Sequence, residues 1–175
     1  IYATQTFKQS YEGDGPFIQM AFMAPRNLPE RKLTWSKQQS FPCELTLKTI
    51  NGEVRLCRNP ITEIKQLRYE SHFWKNISIK PGDNPLADLD GDVFEIITEI
   101  DLAKSTGFGF NLRGERLVYS AKDKQITFMG NQTRFTSLDR KVKLRIIIDR
   151  CSIEVFVNEG EVTFSSIFYP DPSNM

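Results

Sequence analysis

The stretch DRCSIEVFVNEGEVTF, Asp149 to Phe164, gathers an arginine, a cysteine and four acids into one strand–turn–strand pattern. Two neighbouring carboxyl groups can divide acid and base roles between them, which makes Asp149 and Glu154 a candidate acid pair. The alternation of the strand argues against that. Ile153, Val155 and Val157 share one face, while Glu154 and Phe156 share the other. Apolar neighbours on both flanks and the turn at Gly160 favour a scaffold hairpin, with Asp149–Arg150 as a turn and ion-pair device. Its acids are expected to face water or salt partners.

The other reactive types are sparse. Asp88, Asp90 and Asp92 alternate as in a calcium loop, but Val93 stands where that loop needs glycine and no helix flanks it, so a solvated loop is expected. His72 is the only histidine, and no spaced partners for a zinc site or a hydrolytic triad accompany it. No metal and no cofactor are expected. Cys43, Cys57 and Cys151 are odd in number without C-x-x-C spacing, and read as buried free thiols. Asn76-Ile77-Ser78 and Asn131-Gln132-Thr133 match the N-glycosylation acceptor pattern, which has meaning only in a secretory eukaryotic host. Trp35 and Trp74 offer flat apolar faces to a sugar ring, and are the candidate carbohydrate-binding residues; packing in a core or between domains is the competing use.

These residues must be positioned by strands. The 175-residue chain has thirteen Phe and frequent Ile, Val and Thr, residues that favour extended structure. GPFIQMAFM is apolar on both faces and expects cover on two sides. ELTLKTINGEVRLC reads as a hairpin turning at Asn51-Gly52, because Asn-Gly supplies the positive φ angles of a tight turn. DVFEIITEIDL, GFGFNLRG, RLVYSA, QITFMG, VKLRIIIDR and the opening stretch continue the pattern, with Lys122-Asp123-Lys124 at a turn. ITEIKQLRYESHFW fits a helix, a strand or an irregular crossing. About a dozen short strands separated by turn signals predict an all-β antiparallel sandwich of two sheets.

Composition removes several function classes. Lys+Arg of 23 against Asp+Glu of 22 gives a formal charge of +1, with the basic residues scattered, so no nucleic-acid partner is expected. No apolar run approaches the roughly 18 residues of a membrane span, and no signal-peptide pattern is present. The chain begins with Ile1 rather than Met and is expected to be a fragment or a processed product.

Five segments, in order, resemble glycoside hydrolase family 32, the invertases, inulinases and levanases. YATQTF (Tyr2–Phe7) and IQMAFM (Ile18–Met23) resemble the closing strands of its catalytic propeller, written Y-A-A-Q-T-F and I-x-I-G-W-M. WSKQQSFPCEL (Trp35–Leu45) resembles W-R-G-Q-M-T-L-P-R-E-L, and RLCRNPITEI resembles R-L-x-Q-x-P-V-x-E-L. LRIIIDRCSIEVFVNEGE resembles L-R-I-x-V-D-R-S-S-I-E-V-F-x-N-D-G-E, the most specific of the set. Ala21-Phe22 replaces the usual Gly-Trp, Lys37 a Gly, Cys43 an Arg and Cys151 a Ser.

The resemblance implies a five-bladed propeller followed by a concanavalin-like, jelly-roll-type β-sandwich. Residues 1–40 would be the last propeller strands and linker, and 41–175 the C-terminal sandwich. The family's acid motifs, resembling W-M-N-D-P-N-G, R-D-P and E-C, do not occur in this sequence. YPDPSN superficially resembles the first, but Asp171 lies in a polar tail unsuited to holding a nucleophile. The chain alone is therefore expected to be inactive, with no catalytic residues. It would be the non-catalytic domain of a fructan-degrading enzyme, packing on and stabilising the catalytic propeller of the same parent chain. A fructan-binding module is the alternative, and an extracytoplasmic parent is expected because polymeric fructans lie outside cells. If residues 1–24 lack their blade, they are expected to fold back on the sandwich, pair with another copy or be poorly ordered.

Overall fold

The computed structural model describes residues 2–8, 14–24, 37–103, 105–137 and 140–171. Among them are thirteen strands and one short 3₁₀ helix. The strands are β1 (Tyr2–Lys8), β2 (Phe17–Met23), β3 (Gln38–Gln39), β4 (Cys43–Ile50), β5 (Glu53–Pro60), β6 (Phe94–Asp101), β7 (Gly107–Leu112), β8 (Glu115–Ser120), β9 (Gln125–Phe128), β10 (Asn131–Arg134), β11 (Lys141–Asp149), β12 (Ser152–Val157) and β13 (Val162–Ile167). All their pairings are antiparallel.

Two four-stranded sheets, ordered β13-β12-β11-β6 and β10-β9-β8-β7, form the expected sandwich. The first contributes Val142, Leu144, Ile146 and Ile148 from β11 and Ile153, Val155 and Val157 from β12. The second answers with Leu117, Tyr119, Ile126 and Phe128. Alternate residues of each strand point inward, and every such buried side chain contributes about 1.5–3 kcal/mol of transfer free energy. Phe128 meets Phe164 edge-on, ring centres 5.9 Å apart.

A third sheet runs β1-β2-β4-β5, with β3 paired to β2. Strand β2 is hydrogen-bonded to β4 with Phe17 opposite Leu45 and Gln19 opposite Cys43. Residue 40, the expected domain boundary, lies between β3 and β4, both strands of this sheet. The β4–β5 hairpin turns at Asn51 (φ 53°) and Gly52 (φ 82°), as the Asn-Gly pair requires. The turn after β8 covers 121–124, where Lys124 also takes a positive φ.

The stretch left open resolves into a 3₁₀ helix over Thr62–Leu67 and then irregular chain, which continues through turns at 81–82 and 85–88 to Val93. The 3₁₀ helix has no side-chain N-cap and no buried residue. A helical turn held by one partly buried side chain, Ile64, has little to prolong it.

Of the two settings expected for the hairpin's acids, Glu154 takes the salt partner, Arg58 at 3.3 Å, and not water. The Glu154–Phe156 face of β12 is not wet: all six residues of β12 are buried. Phe41, Cys43 and Ile64 cross that face and pack on Ile147 and Phe156. Alternation reports two faces of unlike polarity, and it cannot see a segment distant in sequence that covers the polar one.

Candidate functional site

Under that cover lies a buried polar cluster centred on Glu154. Glu154 is 0% exposed. Its Oε1 accepts the backbone N–H of Phe41 at 2.6 Å, and its Oε2 accepts the Ser165 hydroxyl at 2.5 Å and Arg58 Nη2 at 3.3 Å. Four elements thus meet at one carboxyl group: β12, β13, β5 and the strap of residues 40–42. Burial pushes the Glu154 carboxyl above the ordinary glutamate value, against the opposing pull of the Ser165 hydroxyl, the Phe41 amide and Arg58. Cys43 sits beside them, fully buried, its thiol pushed up to about 12 by desolvation.

A second cluster lies along the same outer face. Arg145 of β11 donates from Nε to Glu95 Oε1 at 2.5 Å and from Nη1 to the Pro60 carbonyl at 3.1 Å. Glu95 also accepts Arg68 Nε at 2.6 Å. The chain from Arg58 to Arg68 is therefore pinned at both ends of its crossing, by a carboxylate of β12 and one of β6.

The Asp149–Glu154 acid pair does not form. Glu154 stands opposite Ile147 and Asp149 opposite Ser152 in the β11–β12 ladder. Asp149 Oδ1 accepts the Arg150 backbone N–H at 2.8 Å, as a turn device should. The Arg150 guanidinium pairs instead with Asp92 at 2.7 Å, the last acid of the loop that mimics a calcium site. That pairing holds the Asp92 carboxyl below the usual aspartate value. Among the described residues no group of three or more His, Cys, Asp or Glu could hold a metal ion.

Trp74 is 45% exposed on the irregular segment, its ring centre 6.2 Å from that of His72. His72 Nε2 is 3.1 Å from Glu70 Oε1. Trp35 lies outside the described residues. Cys43 and Cys57 are buried free thiols as expected, and Cys151 is half-buried. Two shallow depressions, both bordered by Arg116 and Val118, mark the outer face of the β7–β10 sheet, and Glu115 is the only acid lining either.

Chemically, the Glu154 cluster binds the protein to itself. Its carboxylate is sealed from solvent and saturated by donors, with no approach for a substrate oxygen. Sequence reasoning identified Glu154 but missed Arg58, Ser165 and the Phe41 amide as its partners. The available signal was an acid inside the apolar run IEVFV, since a fully buried carboxylate demands a paired cation.

Residues 63–175 match the family model described as glycosyl hydrolases family 32 C terminal. A levanase of Bacillus subtilis (strain 168) is 33% identical over 164 residues, which cover 80% of this chain and 24% of that protein. A levanase of Bacillus sp. (strain L7) is 30% identical over 203 residues, covering 99% of this chain and 21% of that protein. The chain thus spans about a quarter of the length of these two levanases. The structure of sucrose-6-phosphate hydrolase from Lactobacillus gasseri shares the fold, with a TM-score of 0.75 at 18% identity over 99% of this chain and 37% of that one. Among the described residues, no helix is long and apolar enough to cross a membrane.

Proposed function

The chain belongs to glycosyl hydrolase family 32, and we propose that it serves there as the non-catalytic C-terminal β-sandwich of a fructan-degrading enzyme, packed on the catalytic domain of its parent chain. The observation that carries this proposal is a set of large, exposed apolar side chains on a domain whose own core is already filled. Leu47, Val54 and Leu56 stand out from the β4–β5 hairpin, and Tyr69 (95% exposed) and Phe73 (90% exposed) from the segment after the 3₁₀ helix. Leu47 stands opposite Leu56 in the ladder and Val54 lies two residues from Leu56, so these three share one face, and exposed apolar faces of this kind take a partner. The acid in the strand most like the family is meanwhile committed to Arg58 and the strap, which supports a scaffold role over a catalytic one.

The test is direct. The purified 175-residue chain, incubated with sucrose, inulin and levan, should release no fructose. Sustained turnover in a sample free of host enzyme would overturn the proposal.

Trp74 favours a second reading, a fructan-binding module. A half-exposed indole beside an imidazole is a workable sugar platform. Titration with levan and inulin oligosaccharides should leave tryptophan fluorescence unchanged if the domain is a scaffold. Saturable quenching lost in Trp74→Ala would instead establish the binding module.

A further inference from the structure

The three segments beyond β11–β12 that meet at Glu154 are far apart in the chain. Phe41 is 113 residues away, Arg58 is 96 and Ser165 is 11. Each belongs to a different part of the architecture. Residues 40–42 join β3 to β4, and Ser40 exchanges hydrogen bonds with β2: its N–H donates to the Ala21 carbonyl at 2.8 Å, and its Oγ accepts the Ala21 N–H at 3.1 Å. Arg58 belongs to β5, and its own N–H donates to the Gly160 carbonyl at 3.1 Å. Glu154 and Ser165 belong to the sandwich. Fixing Phe41 and Arg58 therefore fixes β2, β4 and β5 together.

The apolar part of this junction, Phe41, Cys43 and Ile64 on Ile147 and Phe156, is non-directional. Greasy contacts alone would allow the outer sheet to slide or tilt by part of a residue. A carboxylate with both oxygens engaged by directional donors does not. Buried ion pairs are poor stabilisers against apolar replacements, and their best-attested use is to fix one register among several. The charged and titratable groups facing Glu154 are Arg58 of β5, the neutral Cys43 thiol of β4, and Arg145 of β11 further along the face, itself committed to Glu95.

We propose that Glu154 is a positioning residue, whose buried carboxylate sets the placement of the β1–β5 sheet on the sandwich by holding the Phe41 amide and Arg58 at once. The outer sheet carries the apolar hairpin face, so Glu154 governs how that face is presented. The positioning does not depend on whether the parent acts on fructan.

Amide hydrogen exchange on the whole chain tests this, because it reads local opening apart from global unfolding. In Glu154→Gln the Ser40 and Phe41 amides should exchange about tenfold faster or more, because the ion pair to Arg58 is lost and the charge-assisted bond to Phe41 weakens to a neutral one. The Ile146 and Val155 amides at the centre of the β11–β12 ladder should keep their protection. A double variant, Glu154→Leu with Arg58→Met, removes both buried charges and should match or exceed the parent's unfolding midpoint while still exposing Ser40 and Phe41. Equal acceleration at all four amides in Glu154→Gln would reduce the residue to a general stabiliser and overturn the proposal. So would wild-type protection of Ser40 and Phe41 in either variant. If Glu154→Gln fails to fold, the double variant decides alone.

Discussion

Gly160, in the turn between β12 and β13, sits where two parts of the molecule touch backbone to backbone. Its φ is +90°, a conformation that an L side chain enters at roughly 1–2 kcal/mol. A Cβ built there would lie 2.1 Å from the Arg58 carbonyl oxygen, 2.5 Å from its carbon and 2.7 Å from its nitrogen. No side chain can swing aside, because every clashing atom is main chain. Gly160→Ala must push the turn off β5, breaking the Arg58 N–H to Gly160 carbonyl bond at 3.1 Å, with a net loss of about 0.5–1.5 kcal/mol. Residual overpacking adds about 1–3 kcal/mol, for an expected destabilisation of about 3–6 kcal/mol. At this chain length that lowers Tm by roughly 6–24 °C. Gly130 provides the control, with φ +74° and nothing within 4 Å of its Cβ position, so Gly130→Ala bears only the backbone term of about 1–2 kcal/mol. Urea unfolding of the two variants against the parent measures the difference. If Gly160→Ala costs no more than Gly130→Ala, the β12–β13 turn does not rest on β5, and the outer sheet is attached less tightly than described.

Two further outcomes follow from the titrating groups. With its thiol pushed up to about 12, Cys43 should stay unmodified by an alkylating reagent at pH 8, and buried Cys57 with it, until denaturant is added. Half-buried Cys151 should react ahead of both, which peptide mapping would show; early labelling of Cys43 would contradict the sealed junction. Between the ordinary glutamate value and the raised native value of Glu154, the folded chain keeps a proton that the unfolded chain has released. The contribution of this group to stability is therefore complete below the ordinary value and lost as pH rises through the native one. Asp92 and Glu159, held low by Arg150 and Lys48, slope the opposite way, so the parent-minus-Glu154→Gln difference is the quantity to follow. A difference independent of pH across that window would refute the assignment.

Much of the architecture was legible because it is local. Asn51-Gly52 fixes a turn whichever domain surrounds it, and Ile153, Val155 and Val157 find the core because alternate residues must share a face. The irregular passage from Arg68 to Val93 was less legible. Tyr69, Phe73, Ile77 and Ile79 resemble core residues in sequence, yet they lie on the surface. Composition records that a side chain prefers to leave water, and is silent on whether the cover comes from its own domain. The candidate site was half legible: Glu154 stood out, but its cation, Arg58, and its amide donor, Phe41, lie about a hundred residues upstream in segments whose spacing to it carries no periodic signal.

A trace of the junction is nevertheless written in β11. Lys141, Val142, Lys143 and Leu144 alternate exposed and buried, as a strand with one wet face must. From Arg145 the alternation fades, and Ile146, Ile147 and Ile148 are all buried. A change from alternating to continuous apolar residues within one strand locates the point at which its outer face becomes covered. Ile147 lies past that point, and the ladder puts Glu154 directly opposite it. The acid must then be inside, and an inside carboxylate requires donors and a cation brought by whatever covers it. The Phe41 amide and Arg58 meet that requirement, so the outer sheet and its strap, which bury Glu154, also supply the groups that make its burial tolerable.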